Sequence, residues 1–433
     1  MHKKYLGHIL LIFSLILIFF SCKKEEDDIS PLITIDSPNE NQSFNVFDTI
    51  IIKATVSDEN KLESIQVVLV DENLIPVLGT VVINPEANQV DIVLHYPIND
   101  FYLENGTYNI LVKAFDGTNY KNSYKKIFIN EAPTRLEYIS VLSKTSSSSI
   151  NISKIDSAFN QNFLFSINSD YSASALSSRY QQLYVAGRYI YNMNAYELEK
   201  FDISWTVQSI PNPPAAYFES VSYFDKKVYI SFNNGEIKAY DNKGAVRFST
   251  TVSTGMYPKK AFKHDDYLIV AQKNYVGFDG AIGVYYLISG VLKQKLPVNY
   301  NIVDYFSKDN DNIFVFGNDG NQGKILIYNL NDNNTWEPYS YQIGKIINVT
   351  QIDNLNYLIA FENEIKHFKY NPISLTTFIS NVSAKNIKFE HMNNLIYTAE
   401  NFKISTYNYP NAVFQNNVFF SDTILDFHFV YNK

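Results

Sequence analysis

Short apolar runs separated by polar turns recur along almost the whole chain after residue 30. Nowhere in that stretch do apolar residues return with the 3.6-residue period of an amphipathic helix. Alternation of apolar and polar residues, which is typical of a half-buried strand, is clear from Tyr108 to Ala114. Gly, Asn and Asp punctuate the runs, as turns require. The pattern predicts an all-β protein.

Residues 31–132 have the spacing of a small β-sandwich. Short apolar runs with turn residues between them are typical of two packed antiparallel sheets. The candidate strands are Leu32–Ile35, Thr49–Val56, Leu62–Val70, Gly79–Ile83, Val90–His95, Tyr108–Ala114 and Tyr124–Ile129. Ala132-Pro133-Thr134 marks the end of this predicted domain.

Residues 133–433 carry an internal repeat. Each unit begins with an apolar strand, and the starts of successive strands are 37 to 45 residues apart. These strands are Ile139–Leu142, Leu183–Ala186, Val228–Ser231, Leu268–Ala271, Ile313–Phe316, Leu358–Phe361 and Leu395–Thr398. A second strand follows in each unit, as at Ile237–Tyr240 and Ile404–Tyr407. Paired strands at this period predict a seven-bladed β-propeller.

The two ends of the repeat region complement each other. The first unit has no strand of the propeller before Ile139, and the chain ends on a lone strand, Ile424–Val430. We expect this C-terminal strand to complete the first blade and close the ring. Closure would remove the exposed sheet edges that invite aggregation.

The amino terminus is typical of an export signal. Lys3 and Lys4 precede an almost wholly apolar stretch, Tyr5–Phe20, which is short for a membrane span. Cys22 is the only cysteine of the chain, so an intramolecular disulfide is excluded. Ser21-Cys22 after the apolar run resembles a bacterial lipoprotein signal. The resemblance implies a signal peptide over residues 1–21, cleavage before Cys22 and lipid on that cysteine; the alternative is a plain signal anchor with an incidental cysteine.

Residues 22–30 form an acidic tether that begins Lys23-Lys24-Glu25-Glu26-Asp27-Asp28 after the cysteine. A charge run of this kind is usually solvated. The tether also resembles the surface-export signal of Bacteroidota lipoproteins. That resemblance implies an outer-membrane lipoprotein at the cell surface, with the membrane as its partner through Cys22.

Two further resemblances concern the β domains. The segment Gly106–Gly117 resembles the penultimate strand of bacterial immunoglobulin-like modules, which are usually spacers; Tyr108 would then bond back to the backbone as a corner tyrosine. The segment Gly235–Gly244 resembles a repeat of quinoprotein-like propellers, and the repeat region as a whole is similar to these and to WD40-like propellers. The tryptophan that closes quinoprotein repeats is missing, since only Trp205 and Trp336 occur, and WD40 signatures are absent.

Charge and motifs narrow the function. The formal net charge is −8 and no strongly basic block occurs, which argues against nucleic acid as a partner. No GxSxG, P-loop or GxGxxG motif is present, and the histidines form neither HxH nor HExxH. The sequence therefore assigns no catalytic, cofactor-binding or metal-binding residue; its one site residue is Cys22, for lipid attachment. The histidines after the signal are His95, His264, His367, His391 and His428.

Three of the remaining polar positions have specific expectations. His367 replaces the apolar residues of sister repeats, so we expect a buried, hydrogen-bonded side chain. His264-Asp265-Asp266 predicts a solvated turn. Asp309–Asn312 resembles half of a calcium loop but lacks the distal Glu and the Gly, so a hairpin turn is expected.

The favoured function is non-catalytic binding of a protein or glycan on a propeller face, since Tyr, Asn and Phe are abundant. The loop Ile210–Pro214 could rigidify one rim. One alternative is an enzyme, such as a glycan-cleaving propeller or a degenerate quinoprotein, and another is a scaffold in an envelope assembly. A central cluster of Asp, Glu or His would favour the enzyme, whereas an aromatic face would favour binding.

Overall fold

A computed structural model describes residues 29–210, 215–277 and 279–433. The signal segment and Cys22 lie outside these ranges, as do residues 211–214 of the predicted rim loop. The chain divides into two compact units after Pro133. The regular secondary structure of the described ranges consists of β-strands only. No helix in them has the length and hydropathy of a membrane span.

The first unit is built from two sheets that share one core. A three-stranded sheet has the order β1-β3-β6, and a five-stranded sheet has the order β2-β8-β7-β4-β5. Ile50 and Ile52 from the first sheet pack with Val67 and Val112 from the second. The strands are β1 Leu32–Ser37, β2 Gln42–Asn45, β3 Thr49–Ser57, β4 Ser64–Val70, β5 Val81–Ile83, β6 Gln89–Pro97, β7 Gly106–Phe115 and β8 Tyr120–Asn130.

Tyr108 makes the backbone contact expected of it. Its hydroxyl donates a hydrogen bond to the carbonyl oxygen of Glu104 at 2.9 Å, four residues upstream. The ring is buried at the start of β7. The sequence did not predict β2, which is four residues long and has only Phe44 half-buried. Its parallel pairing with β8, rather than an apolar pattern of its own, places it in the sheet.

The second unit consists of four-stranded antiparallel sheets, and its described residues form seven of them. Each sheet after the first follows chain order. The strands are β9 Leu136–Ser146, β10 Ser149–Ile155, β11 Gln161–Asn168, β12 Ala173–Ser177, β13 Gln182–Ala186, β14 Met193–Glu197, β15 Ile203–Val207, β16 Phe218–Phe224, β17 Lys227–Phe232, β18 Glu236–Tyr240, β19 Val246–Thr251, β20 Met256–His264, β21 Tyr267–Asn274, β22 Gly280–Tyr286, β23 Leu292–Val298, β24 Asn301–Asp309, β25 Asn312–Asp319, β26 Gln322–Asn329, β27 Asn334–Trp336, β28 Asn348–Asp353, β29 Asn356–Ala360, β30 Glu364–Tyr370, β31 Ile373–Ser380, β32 Asn386–Glu390, β33 Leu395–Ala399, β34 Lys403–Asn408, β35 Phe414–Phe419 and β36 Thr423–Tyr431.

The C-terminal strand pairs with the first sheet, as the sequence predicts. β36 lies antiparallel to β9, with Phe427 opposite Val141 and Phe429 opposite Ile139. The first sheet therefore has the order β36-β9-β10-β11. The last strand of the chain takes the place that β12 or β16 takes in the sheets that follow.

Apolar clusters join neighbouring sheets face to face. Tyr184 and Met193 of β13 and β14 pack with Phe218 and Ile230 of β16 and β17. The first strands of adjacent sheets also lie side by side. Four-stranded sheets packed in succession, with the last strand returning to the first sheet, form a β-propeller architecture.

The predicted pair of strands in each repeat corresponds to the second and third strands of a sheet. These are the strands with continuous apolar runs, because both of their faces are covered by neighbouring sheets. The fourth strands have weak patterns; β15, for example, is exposed or half-buried along its whole length. For this reason the sequence pattern revealed two strands per unit where the structure has four.

Replacing Phe427 tests how much the closing strand contributes. Its side chain is 0% exposed, so Phe427→Ala should lower the free energy of unfolding by about 3–5 kcal/mol, through lost burial and the cavity that remains. Phe419, on β35, is 67% exposed, and Phe419→Ala is the matched control, with an expected change within about 0.5 kcal/mol. Equilibrium unfolding in urea measures both, and equal changes would contradict this role for β36.

Candidate functional site

One face of the propeller carries exposed aromatic side chains. In every sheet the loop before the first strand and the loop between the second and third strands lie at the same end, because the strands alternate in direction. We call this end the upper face. The large apolar residues exposed in its described loops are Tyr189, Ile190, Ile210, Tyr275, Val276, Tyr341, Ile347 and Phe402.

The opposite face has a different chemistry. Among the described residues of its loops, the exposed large apolar side chains are all aliphatic: Ile288, Val291, Leu355, Met392 and Val413. Aromatic rings bury more area per immobilised bond than aliphatic chains, and tyrosine adds a hydroxyl for polar contacts. The upper face is therefore the better suited of the two to bind a ligand.

A single carboxylate shapes the loop between β13 and β14. Asp170 accepts hydrogen bonds from the backbone N–H groups of Tyr189 at 2.8 Å and Ile190 at 3.3 Å. It also accepts one from the N–H of Arg188, whose guanidinium lies 5.2 Å from the centre of the Tyr189 ring. The backbone behind Tyr189 and Ile190 is thus fixed before any ligand arrives, which lowers the entropic cost of binding.

An aromatic pair lies on the sheet formed by β20 to β23. The rings of Tyr257 and Tyr275 are 5.2 Å apart. The Tyr275 hydroxyl donates to the carbonyl oxygen of Asn233, and the Tyr275 N–H donates to the carbonyl oxygen of Gly255 at 3.1 Å. The Lys259 ammonium lies 5.6 Å from the Tyr257 ring and pairs with Glu219. This pair is also held in place from several directions.

Ion pairs join the first strands of neighbouring sheets around the centre of the propeller. Each pair takes its two members from successive first strands and brings one acid and one base together. The pairs are Glu219 with Lys259 at 2.5 Å, Asp304 with Lys260 at 2.7 Å, and Asp426 with Lys388 at 2.9 Å. Because each carboxylate has its own ammonium, these pairs leave no excess charge to attract a cation or an anion.

Asp426 is the centre of the largest polar cluster. Its Oδ1 accepts hydrogen bonds from Lys388 Nζ at 2.9 Å and from the N–H of Phe427 at 2.8 Å. Its Oδ2 accepts one from Ser174 Oγ at 3.0 Å and lies 3.3 Å from His428 Nε2. Ser174 Oγ also lies 2.8 Å from His428 Nε2 and 3.0 Å from the Tyr171 hydroxyl. The cluster joins β36 to β12 and β32.

This geometry supports a structural role for the cluster. In a nucleophilic triad the acid and the nucleophile contact different ring nitrogens of the histidine. Here Asp426 and Ser174 both approach Nε2 of His428. Both oxygens of Asp426 already accept hydrogen bonds, so its carboxylate is poorly placed to act as a base.

Electrostatics point the same way. Burial alone would raise the pKa of Asp426, but the Lys388 ammonium and His428 outweigh it and hold that pKa far below its usual range. Burial lowers the pKa of His428, and Lys388 lowers it further against the opposing charge of Asp426. At neutral pH the cluster therefore holds a carboxylate, an ammonium and a neutral imidazole. A general base or acid needs a pKa near the working pH, which Asp426 lacks.

The other histidines are scattered. His95 lies exposed on β6 and His391 on a turn. His367 is buried as expected, between the rings of Phe378 and Tyr409, and burial lowers its pKa. The expected hydrogen bond is not found at Nε2, which has no partner among the described atoms.

The expectation of a solvated turn at His264 is wrong for the histidine itself. Its side chain is buried at the end of β20, with Nδ1 2.9 Å from Ser307 Oγ and Nε2 3.1 Å from the carbonyl oxygen of Asn310. The neighbouring sheet covers it, which local sequence does not reveal. Asp309–Asn312 is the hairpin turn between β24 and β25, as predicted. Within the described ranges, no group of three or more His, Cys, Asp or Glu is arranged to hold a metal ion.

Comparisons with known proteins return likeness in fold only. A scan against protein-family models finds no match, and no curated protein is similar in sequence. Hydrazine synthase of Kuenenia stuttgartiensis is similar over 64% of this chain and 93% of its own, with 10% identity and a TM-score of 0.48. For Saccharomyces cerevisiae Sqt1 the shares are 67% and 88%, with 8% identity and a TM-score of 0.47. The Myceliophteria thermophila Cps50 (Swd1) beta-propeller domain is similar over 58% of this chain and 87% of its own, with 9% identity and a TM-score of 0.45.

Removing the cation of the central cluster should be costly. Lys388→Met leaves Asp426 with a mostly buried charge and should lower the free energy of unfolding by about 2–4 kcal/mol, less than for a fully buried pair because the Lys388 side chain is 30% exposed. Lys200→Met removes an exposed partner of Glu197 and should change it by less than about 0.5 kcal/mol. Urea unfolding measures both; a Lys388→Met variant as stable as the wild type would refute the structural role.

The lowered pKa of His428 predicts a loss of stability in mild acid. Because the folded state resists protonation there, the unfolded state binds more protons once the pH falls below about 6.5. The contribution of the neutral His428 to the free energy of unfolding is fully present above that pH and declines below it. His428→Gln should reduce the decline between about pH 6.5 and 5, while His367 keeps its own share. His391→Gln, at an exposed turn, should retain the wild-type slope in urea titrations at each pH; a wild-type slope in His428→Gln would contradict the assignment.

Proposed function

We propose that this chain is an exported lipoprotein, cut before Cys22 and anchored by lipid on that cysteine in the outer membrane at the cell surface. An immunoglobulin-like sandwich would then carry a seven-bladed propeller. The propeller binds a protein or glycan on its upper face and performs no chemistry on it. The membrane is the partner at one end of the chain, and the ligand is the partner at the other.

The architecture of this proposal draws on two observations. The four-stranded sheets of the second unit match one blade each, and β36 supplies the missing strand of the first. The bond from Tyr108 to the Glu104 carbonyl is the contact of a corner tyrosine, which favours an immunoglobulin-like sandwich. The export and the anchor rest on the sequence around Cys22 alone.

The distribution of aromatic residues carries the binding function. Tyr189, Tyr275, Tyr341 and Phe402 are exposed on the upper face, whereas the described loops of the opposite face expose only aliphatic side chains among their large apolar residues. Asp170 fixes the backbone of the loop that carries Tyr189, and the carbonyl oxygen of Asn233 holds the Tyr275 hydroxyl, so these rings form a preorganised contact surface. The central polar cluster, whose carboxylate is saturated with hydrogen bonds, favours binding over catalysis.

The upper face can be tested by a paired substitution. Tyr189→Ser with Tyr275→Ser should reduce capture of ligand from an envelope extract of the source organism by at least about tenfold, because two aromatic anchors are lost. Ile288→Ser is the control on the opposite face, where this side chain is 96% exposed. Pull-down with the detergent-solubilised full chain measures the captured protein and carbohydrate. Loss of capture in Ile288→Ser alone would place the ligand on the wrong face and refute the proposal.

The anchor has its own test. Cys22→Ser removes the thiol that the lipid requires, so the processed protein should move from the membrane fraction to the soluble fraction. Ser21→Ala keeps the cysteine and a small residue before it, and should remain in the membrane. Fractionation with labelled fatty acid reads out both variants. A Cys22→Ser protein that is cleaved yet still fully membrane-bound would defeat the anchor.

A further inference from the structure

A groove of about 530 Å³ runs down the side of the propeller between its first two sheets. One wall is the second half of β11, with Ser166 and Asn168, and the other is β14 with the loop before it. Asn192 and Asn194 line that second wall. The groove opens beside Ile190, so it continues the upper face.

Neutral polar groups dominate the groove. Of the described residues that line it, only Asp202 carries a charge. Asn and Ser side chains both donate and accept hydrogen bonds without charge, as the hydroxyl groups of a sugar also do. A phosphate, a sulfate or a uronic acid would find no cation among these lining residues.

The amides are held in fixed orientations. Asn194 Oδ1 accepts a hydrogen bond from Thr206 Oγ1 at 2.8 Å, and its Nδ2 donates to the Tyr196 hydroxyl at 3.2 Å. Asn192 Oδ1 accepts from the N–H of Ser209 at 2.9 Å. An amide has two N–H donors and two acceptor lone pairs, so each side chain retains capacity for a ligand.

Aromatic rings form part of the apolar lining of the groove, beside Ile167, Ile190 and Ile203. Phe165 and Phe201 stack with their centres 4.9 Å apart, and both are half-buried. Tyr191 is also half-buried on the opposite wall. The carbon-bound hydrogens on one face of a pyranose ring pack well on such surfaces, while its hydroxyl groups reach sideways to the amides. The five residues of β14 span about 17 Å, a length comparable to a short stretch of polysaccharide.

We propose that this groove binds a neutral oligosaccharide along β11 and β14. The inference rests on the proposed binding function and names the class of its ligand. Asn192 and Asn194 supply hydrogen bonds from the β14 wall, and the rings of Phe165, Phe201 and Tyr191 supply the apolar contact.

Titration calorimetry on the detergent-solubilised full chain tests the groove. The probes are four neutral hexasaccharides (maltohexaose, cellohexaose, mannohexaose and xylohexaose) and one charged one, hexagalacturonate. At least one neutral probe should bind with a Kd below about 1 mM, and hexagalacturonate should bind at least about tenfold more weakly. If none of the four neutral probes gives detectable binding, or if the charged probe binds more tightly, the inference is overturned.

Variants locate the binding. Asn194→Ala and Asn192→Ala should each weaken binding of the neutral probe by at least about tenfold. Asn192 lies in the loop before β14, so its replacement leaves that strand intact if loss of Asn194 disturbs it. Asn162→Ala, at the far end of β11 and outside the groove, is the matched control and should bind as the wild type does. Unchanged affinity in both groove variants would place the sugar elsewhere and reject the groove. If the neutral probes do not bind while the full chain still captures ligand through its upper face, the groove proposal is rejected and the proposed function stands.

Discussion

The pairing of β36 with β9 is the contact on which the rest of the second unit depends. It joins residues near the two ends of the unit, as the pairing of Phe429 with Ile139 shows. Apolar clusters connect each sheet to the next, so a gap at this one position would leave two sheet faces without a neighbour. The Asp426 cluster strengthens the same joint, because it ties β36 to the first strands on either side.

Closure of the propeller holds the loops of the upper face in place. Asp170 fixes the backbone of the loop that carries Tyr189, and the carbonyl oxygen of Asn233 accepts a hydrogen bond from the Tyr275 hydroxyl. Three ion pairs between first strands match acid with base near the centre, so we place the proposed recognition at the rim and in the grooves between sheets. Binding by neutral amides and aromatic rings is consistent with the low share of charged residues, which is 18% of the chain.

The sequence predicted the parts of the fold that have a local signature. The second and third strands of each sheet are buried on both faces and stand out as apolar runs, and the lone strand at the C-terminus indicated how the first sheet is completed. Apart from β36, the first and fourth strands lack continuous apolar runs, as β12 and β15 illustrate, so the sequence pattern does not reveal them. Tyr108 could be singled out because its partner is four residues away.

The central cluster could not be predicted, because its members come from distant parts of the chain. Ser174 and His428 are 254 residues apart, and Lys388 and Asp426 are 38 apart. The same holds for the buried His264, which another sheet covers. The groove likewise joins residues of two sheets, and only the abundance of Asn and Tyr hinted at its chemistry.

Removal of the closing strand tests the central claim most directly. A chain that ends at Thr423 lacks Phe427 and the carboxylate of Asp426 that pairs with Lys388. It retains every residue of the sheets on the far side of the ring. Hydrogen exchange measured on β24–β26, together with the melting temperature, reports whether those distant sheets depend on closure. The account predicts a lower melting temperature and faster exchange in these strands as well as in β9. Wild-type melting, or loss of protection confined to β9–β11, would contradict it.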